Sequence, residues 1–99
     1  MAGQPIANAP GGTSLKTSLA LSNITTVKAA PGAVLQVSVL VAGSGAGAVY
    51  DCAATANATT ANAVAPILNA LGVQEISIPC LVGVTIKPGP GQQITVSYQ

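Results

Sequence analysis

The sequence predicts an all-β protein, a single antiparallel β-sandwich of the jelly-roll or immunoglobulin-like kind. Two patterns predict this fold. Val, Ile and Leu alternate with polar residues over short runs, as in strands that are buried on one face. Turn signals rich in Gly, Pro and Asn separate these runs at roughly 8–12-residue intervals. The chain has 99 residues, a length that allows one domain.

The N-terminal residues differ in composition from the rest of the chain. Residues 1–12, MAGQPIANAPGG, are rich in Pro, Gly and Ala and show no periodicity. We therefore predict a flexible N-terminal arm over 1–12 and a β-sandwich domain over 13–99. The arm has neither the basic nor the apolar region of an export signal, so none is expected.

Three strands are predicted in the first half of the domain, over residues 14–22, 25–30 and 33–42. Alternation places these residues on their inward faces: Leu15, Thr17, Leu19 and Leu21, then Val27, then Leu35, Val37, Val39 and Val41. The GSGAG sequence over 43–47 is predicted to be a flexible connection, because it lacks the Lys-Ser/Thr pair of a phosphate-binding loop.

The second half begins with a predicted strand over 48–53 and a long surface loop over 54–65. Pro66 fits the first turn of a short helix, and Gly72 fits its end. A short strand over 75–78 is interrupted by Pro79, which indicates an edge strand or a bulge. Strands over 80–87 and 92–98 follow; Val82, Val84 and Ile86 share one face of the first, and Ile94, Val96 and Tyr98 face inward in the second. The short Pro-Gly turn between these two strands predicts a hairpin.

Acid–base, nucleophilic and metal chemistry have almost no side chains to use in this sequence. There is no His, Arg, Trp or Phe, and the only carboxylates are Asp51 and Glu75. No cofactor, metal site, small-molecule substrate or enzymatic activity is therefore expected. A net charge of +1 with three Lys residues gives no footprint for nucleic acid. No apolar run is long enough for a membrane span.

The low charge of the chain suits a surface that is buried against protein. Charged residues make up 5% of the sequence, against about 25% in a typical soluble domain. We expect association with copies of itself or with a partner. The candidate interface residues are Tyr50, Tyr98, Lys16, Lys28 and Lys87. The lysines have a second interpretation, since they are also typical caps of edge strands.

Two cysteines, Cys52 and Cys80, leave two interpretations open. They are either small buried apolar residues or, in an oxidising compartment, a disulfide pair. We expect no tetrahedral metal site, because the sequence has no His to join the two thiols.

Residues 26–98 contain the motifs VKAAPG (27–32), VAG (41–43), GAVYD (47–51), ANAVAPI (61–67), LGV (71–73), PCLVG (79–83), PGPGQ (88–92) and VSY (96–98). These motifs carry a resemblance to small virion structural proteins of tailed bacteriophages. The resemblance implies a capsid decoration or cement protein that binds the major capsid protein and copies of itself, as a trimer. It also implies a place on the capsid surface of the virion after assembly in the host cytoplasm. The alternative is a phage tail or fibre module, or another surface-binding module for glycans.

Overall fold

The protein is all-β, with two four-stranded antiparallel sheets, in a computed structural model that describes residues 16–99. The predicted arm over 1–12 lies outside the described residues, as does the start of the first predicted strand. The strands are β1 (Lys16–Leu21), β2 (Thr25–Lys28), β3 (Gly32–Val41), β4 (Gly47–Asp51), β5 (Ala63–Ile67), β6 (Gly72–Cys80), β7 (Val84–Lys87) and β8 (Gln93–Tyr98). Two single-turn 3₁₀ helices, Thr55–Asn57 and Thr60–Asn62, lie between β4 and β5.

The chain changes sheet at almost every connection. Sheet A has the order β1-β8-β3-β6 and sheet B the order β2-β7-β4-β5, so only the β4–β5 connection stays within one sheet. Loops 22–24, 42–46, 68–71 and 88–92 meet at one end of the molecule, here called the upper end. Loops 29–31, 52–62 and 81–83 lie at the opposite, lower end.

Both sheets contribute to one apolar core. Its buried members are Val34, Val37, Val39, Cys80, Ile94 and Val96 from sheet A, and Val49, Ile67, Val84 and Ile86 from sheet B. These are mostly β-branched side chains, which pack well on a pleated surface. The core is formed without Phe or Trp, so its apolar area comes from many small contributions.

Bulges account for the errors in the predicted inward faces of β1 and β3. In β1 the register shifts between Ser18 and Leu21, and Ala20 has φ +50°. Leu21 packs against the core as predicted, but Leu19 is 73% exposed. A bulge inserts one residue and so reverses which side chains face the core.

In β3 the register shifts between Val34 and Gln36. Val34 is therefore buried in place of the predicted Leu35, whereas the predicted Val37 and Val39 are buried. Val41 was predicted to face inward and is exposed at the upper end. In β2, Val27 packs against the core as predicted.

The helix predicted from Pro66 to Gly72 is wrong. Pro66 lies inside β5, and Gly72 begins β6 with φ +123°. Because β5 is an edge strand of sheet B, proline is tolerated there. The prediction of an edge strand at Pro79 is confirmed, since β6 runs through Pro79 at the edge of sheet A.

The hairpin predicted for the last two strands is also wrong. β7 lies between β2 and β4 in sheet B, and β8 lies between β1 and β3 in sheet A. The 88–92 loop therefore connects the two sheets. Its length suits this connection as well as it suits a hairpin. β7 is shorter than predicted, so Val82 is exposed in the 81–83 loop, while Val84 and Ile86 share a face, as predicted, and are buried.

Candidate interaction surface

Two loops at the upper end pack directly against each other. A Cβ atom added to Gly43 would lie 1.9 Å from the Pro90 carbonyl oxygen, and one added to Gly89 would lie 2.1 Å from the Gly45 carbonyl oxygen. Ser44 N–H donates a hydrogen bond to the Pro90 carbonyl oxygen at 2.8 Å. The connection predicted over 43–47 is thus held against the 88–92 loop, and glycine is needed because the backbones approach so closely.

Two amide side chains join these loops to the 68–71 loop. Gln92 is buried; its Nε2 donates to the Leu68 carbonyl oxygen at 3.0 Å, and its Oε1 accepts from Gly89 N–H at 2.8 Å. Asn69 accepts from Gly43 N–H and donates to the Gly43 carbonyl oxygen, both at 2.8 Å. Neither residue was predicted from the sequence. The signal in the sequence is that glycine occupies every second position in two loops, at 43, 45 and 47 and at 89 and 91.

A cleft lies beside these loops on the outer face of sheet B. Its deeper part, about 200 Å³, lies next to the 88–92 loop, and a shallower hollow of about 360 Å³ continues over β5. Gly47 and Ala48 line both parts, so we treat them as one surface, the Tyr50 cleft. Its other lining residues are Ala46, Tyr50, Lys87, Pro88, Gly89 and Pro90 in the deeper part and Ala63–Pro66 in the hollow.

Tyr50 and Lys87 are the functional groups of this cleft. Ala48 pairs with Lys87 and Tyr50 pairs with Thr85, so Tyr50 and Lys87 are diagonal neighbours on one face, a spacing of roughly 7–8 Å. Thr85, directly opposite Tyr50, is fully buried; it shares a hydrogen bond with Thr26 and donates another to the Cys52 carbonyl oxygen. Within residues 16–99, neither the Tyr50 hydroxyl nor the Lys87 ammonium takes part in a hydrogen bond.

The structure places the other three candidate interface residues at the lower end. Tyr98 pairs with Lys16 across β1 and β8, and its half-buried ring packs against the core. The stem of Lys28 lies over Gly32, because a Cβ added there would be 2.9 Å from the Lys28 Cδ atom. The five residues thus form two groups, and only Tyr50 and Lys87 share a cleft.

The two interpretations of the lysines also separate in the structure. Lys16 and Lys28 lie on β1 and β2, which are edge strands in the described part of the chain. Lys87 lies on β7, an interior strand of sheet B. Capping an edge therefore explains the first two positions and does not explain Lys87.

Every edge strand among residues 16–99 carries a feature that hinders the addition of a further strand. β1 has the bulge at Ala20, and β6 has Ser77 at φ +54°. β5 contains Pro66, and β2 has four residues and ends at Lys28. Such features block edge-to-edge pairing, so a partner is more readily accommodated on a face or at a loop.

Both carboxylate side chains accept hydrogen bonds from neighbouring groups of the chain. Asp51 accepts hydrogen bonds from the N–H groups of Leu81 at 2.9 Å, Val82 at 2.8 Å and Gly83 at 3.2 Å. The first two of these bonds, chiefly, hold the pKa of Asp51 below its usual value. Glu75 accepts a hydrogen bond from Gln36 at 3.2 Å in sheet A. In residues 16–99 no three His, Cys, Asp or Glu side chains are grouped as metal ligands would be.

Cys52 and Cys80 are both buried, and both thiols are free. Burial, with the nearby charges of Asp51 and Cys52, raises the pKa of the Cys80 thiol to about 11. The Cys52 thiol donates to the Ala54 carbonyl oxygen at 3.4 Å. The interpretation as buried apolar residues describes this arrangement, and the disulfide stays a prediction for an oxidising compartment.

Large apolar side chains are exposed at both ends of the molecule. Leu40, Val41, Leu68, Leu71 and Val73 lie at the upper end of the molecule, and we call them the upper apolar patch. At the lower end, Leu81 is 78% exposed and Val82 is 55% exposed. Asp51 fixes the loop that presents these two side chains.

Neither of the short helices in the described residues has the length and hydropathy to cross a membrane. Comparison of the chain with family models, with curated proteins and with solved structures gives no significant match.

Proposed function

We propose that this chain is a non-enzymatic virion structural protein, a capsid decoration or cement protein of the kind found in tailed bacteriophages. In this role it binds the lattice of the major capsid protein on the capsid surface, after assembly in the host cytoplasm, and stabilises the head. The observation that carries the proposal is the order of the eight strands. Our further proposal is that they form one jelly-roll sandwich.

Two four-stranded sheets, with the chain changing sheet at every connection but one, support a jelly roll over an immunoglobulin-like sandwich. An immunoglobulin constant-type domain has seven strands divided four and three. Eight-stranded double-sheet jelly rolls occur in viral capsid and lectin domains. The step from this architecture to a virion role is an analogy between folds, and it agrees with the sequence resemblance.

The chemistry of the surface supports binding as the function. Asp51 organises a loop and Glu75 bonds to Gln36, so neither carboxylate among the described residues faces a cleft with a second catalytic group. The upper apolar patch offers five exposed side chains of the size that protein interfaces cover. Self-association as a trimer, with further contacts to the capsid lattice, would remove this patch from water.

The proposal is tested with purified heads of the phage that encodes the chain, from a strain in which its gene is deleted. Recombinant chain is added to these heads, and co-sedimentation and the temperature of DNA release are measured. We expect saturable binding and release at a higher temperature. A matched pair of variants, Leu71→Asp in the upper apolar patch and Ala70→Asp beside it, separates patch burial from added charge. Heads that neither bind the chain nor gain stability would contradict the proposal.

A second candidate function, glycan binding by a tail, fibre or other surface module, is favoured by one observation. The half-exposed Tyr50 ring lies in an open cleft, and lectin domains are among the known jelly rolls. A glycan array read with the wild-type chain and with Tyr50→Ala tests it. Binding to a defined glycan that the substitution abolishes would favour this function over the capsid role.

A further inference from the structure

We infer that the Tyr50 cleft binds an extended segment of a partner protein that carries a carboxylate side chain, and that this carboxylate pairs with Lys87. The inference rests on the proposed function for the source of the segment, which is a protein of the capsid lattice. It adds to that function the chemistry of the contact and the residues that make it.

The charge of Lys87 is the first argument. Among residues 16–99, Lys87 is the one charged residue that lines the cleft, and it lies on an interior strand where no edge needs a cap. Asp51 is held by three backbone N–H groups at the lower end, and Glu75 bonds to Gln36 in the other sheet. Both carboxylate side chains of the sequence are thus engaged elsewhere, so the complementary charge comes from another molecule.

The shape of the cleft indicates an extended backbone. The small residues Gly47 and Ala48 line both of its parts, and Pro88 and Pro90 line the part next to the 88–92 loop. The cleft crosses β7, β4 and β5, which is about 10 Å from the first strand to the third. Roughly three extended residues cover that distance. Small lining residues let a backbone approach closely, and the Tyr50 ring provides apolar area beside a hydroxyl that can hydrogen-bond.

The cleft is also preorganised. Its two lining prolines belong to the 88–92 loop, which Gln92 and the close contacts of Gly43 and Gly89 hold in place. A preformed lining lowers the conformational entropy lost when a segment binds. The blocked edges also favour binding in the cleft. Because β5 contains a proline and cannot pair with a further strand, a bound segment lies on the outer face of sheet B instead.

The test is a double-mutant cycle between the cleft and two synthetic peptides. The probes are acetyl-Ala-Glu-Ala-Glu-Ala-amide and the same peptide with Gln in place of Glu. Each is titrated at millimolar concentration into ¹⁵N-labelled chain, and amide shifts give the site and the affinity. We expect the shifts to concentrate at residues 46–50 and 87–90. The glutamate peptide should bind roughly threefold to fivefold more tightly than the glutamine peptide, as for an exposed ion pair.

Substitution of the lysine decides whether the pairing is real. Lys87→Gln should abolish the preference for glutamate, while the control Lys28→Gln should retain it. Lys87→Glu should reverse the preference towards acetyl-Ala-Lys-Ala-Lys-Ala-amide, and the amide spectrum of each variant reports that it is folded. No binding of either peptide, shifts outside the cleft, or a glutamate preference that survives Lys87→Gln would each overturn the inference.

Head binding by the same variants separates this inference from the proposed function. If Lys87→Gln and Lys28→Gln bind heads equally well, the cleft inference is overturned and the capsid role stands. If the wild-type cleft prefers the glutamate peptide but the chain does not bind heads, the cleft chemistry stands and the capsid role is overturned.

Discussion

The loops at the two ends of this molecule are ordered by different means. At the upper end, three loops are joined by the neutral amides of Gln92 and Asn69 and by glycines whose backbones nearly touch. At the lower end, the 81–83 loop is ordered by one ionised side chain, Asp51, through three backbone N–H groups. The first arrangement is buried in part and depends on fit, and the second is more exposed and depends on charge.

This difference predicts which end responds to which perturbation. Close backbone packing leaves no room for an added atom, and its stability does not depend on protonation. When a carboxylate that accepts hydrogen bonds takes up a proton, it becomes a weaker hydrogen-bond acceptor. Added volume should therefore damage the upper end, and acid should loosen the lower end.

The largest effect is expected from Gly43→Ala. The new methyl group would lie 1.9 Å from the Pro90 carbonyl oxygen, so the 42–46 and 88–92 loops must separate. We expect a loss of roughly 3 kcal/mol or more in the free energy of unfolding, measured by denaturant titration. Gly45→Ala is the matched control, because its Cβ would be 3.5 Å from the Pro90 Cδ atom, and it should change stability by less than about 1 kcal/mol. Equal effects of the two substitutions would show that the loops do not pack as described.

The next effect concerns the buried amide of Gln92. Gln92→Leu retains the volume but leaves Gly89 N–H and the Leu68 carbonyl oxygen without a partner. We expect a loss of about 2–3 kcal/mol, and the same loss at pH 7 and at pH 3, because no group in this network titrates. Gln93→Leu, next in the chain, is the control. A loss that changes with pH would contradict the neutral character of the upper end.

The third effect concerns Asp51 and should depend on pH. The pKa of Asp51 is lowered in the folded chain, so the folded state binds the proton less tightly than the unfolded state. The resulting stability is present above about pH 5 and is lost as the pH falls through 3.8 and then through the lower folded pKa. Asp51→Asn should cost about 1–2 kcal/mol at pH 7.

The cost of Asp51→Asn should disappear as the pH is lowered, as measured by thermal unfolding of both chains from pH 7 to pH 2.5. The control is Glu75→Gln, which alters an exposed hydrogen bond with Gln36 and should cost less than about 0.5 kcal/mol at either pH. A cost of Asp51→Asn that persists in acid would mean that shape rather than charge orders the lower end.

The smallest effect is expected in thiol reactivity at the lower end. With a pKa of about 11, Cys80 is about one thousandth thiolate at pH 8, and both thiols are buried. We expect no measurable reaction of the native chain with a disulfide reagent, and two equivalents after denaturation. Reaction of the native chain at low pH or at pH 8 would contradict this expectation. Reaction at pH 8 would indicate local opening of the lower end.

Several elements of this fold followed from local sequence alone. The alternation over 92–98 predicts β8, and Ile94 and Val96 are buried as expected. Proline within a strand pattern predicts the edge position of β6. The same local logic failed at Leu19 and Leu35, because a bulge is a property of two paired strands and neither strand shows it separately.

The candidate site was predictable only in its parts. Tyr50 and Lys87 were recognised as interface residues from their chemistry, together with Tyr98, Lys16 and Lys28, which lie elsewhere. Their meeting depends on β4 and β7 being neighbours in sheet B, and the hairpin predicted for β7 and β8 would have placed Lys87 beside a different strand. Gln92 and Asn69 were missed because a polar residue in a loop shows its partners only after the loops meet.

Composition and period-two alternation are enough to establish that this protein is β-rich, weakly charged and poor in catalytic side chains. The pairing of the strands, the residues that each bulge turns outward and the position of Lys87 on an interior strand are known only from the folded chain. Strand pairing joins residues that are far apart in the chain, as Lys16 with Tyr98 or Gly32 with Cys80. The choice among such pairings is made by burial of both sheets in one core, a quantity that no local pattern contains.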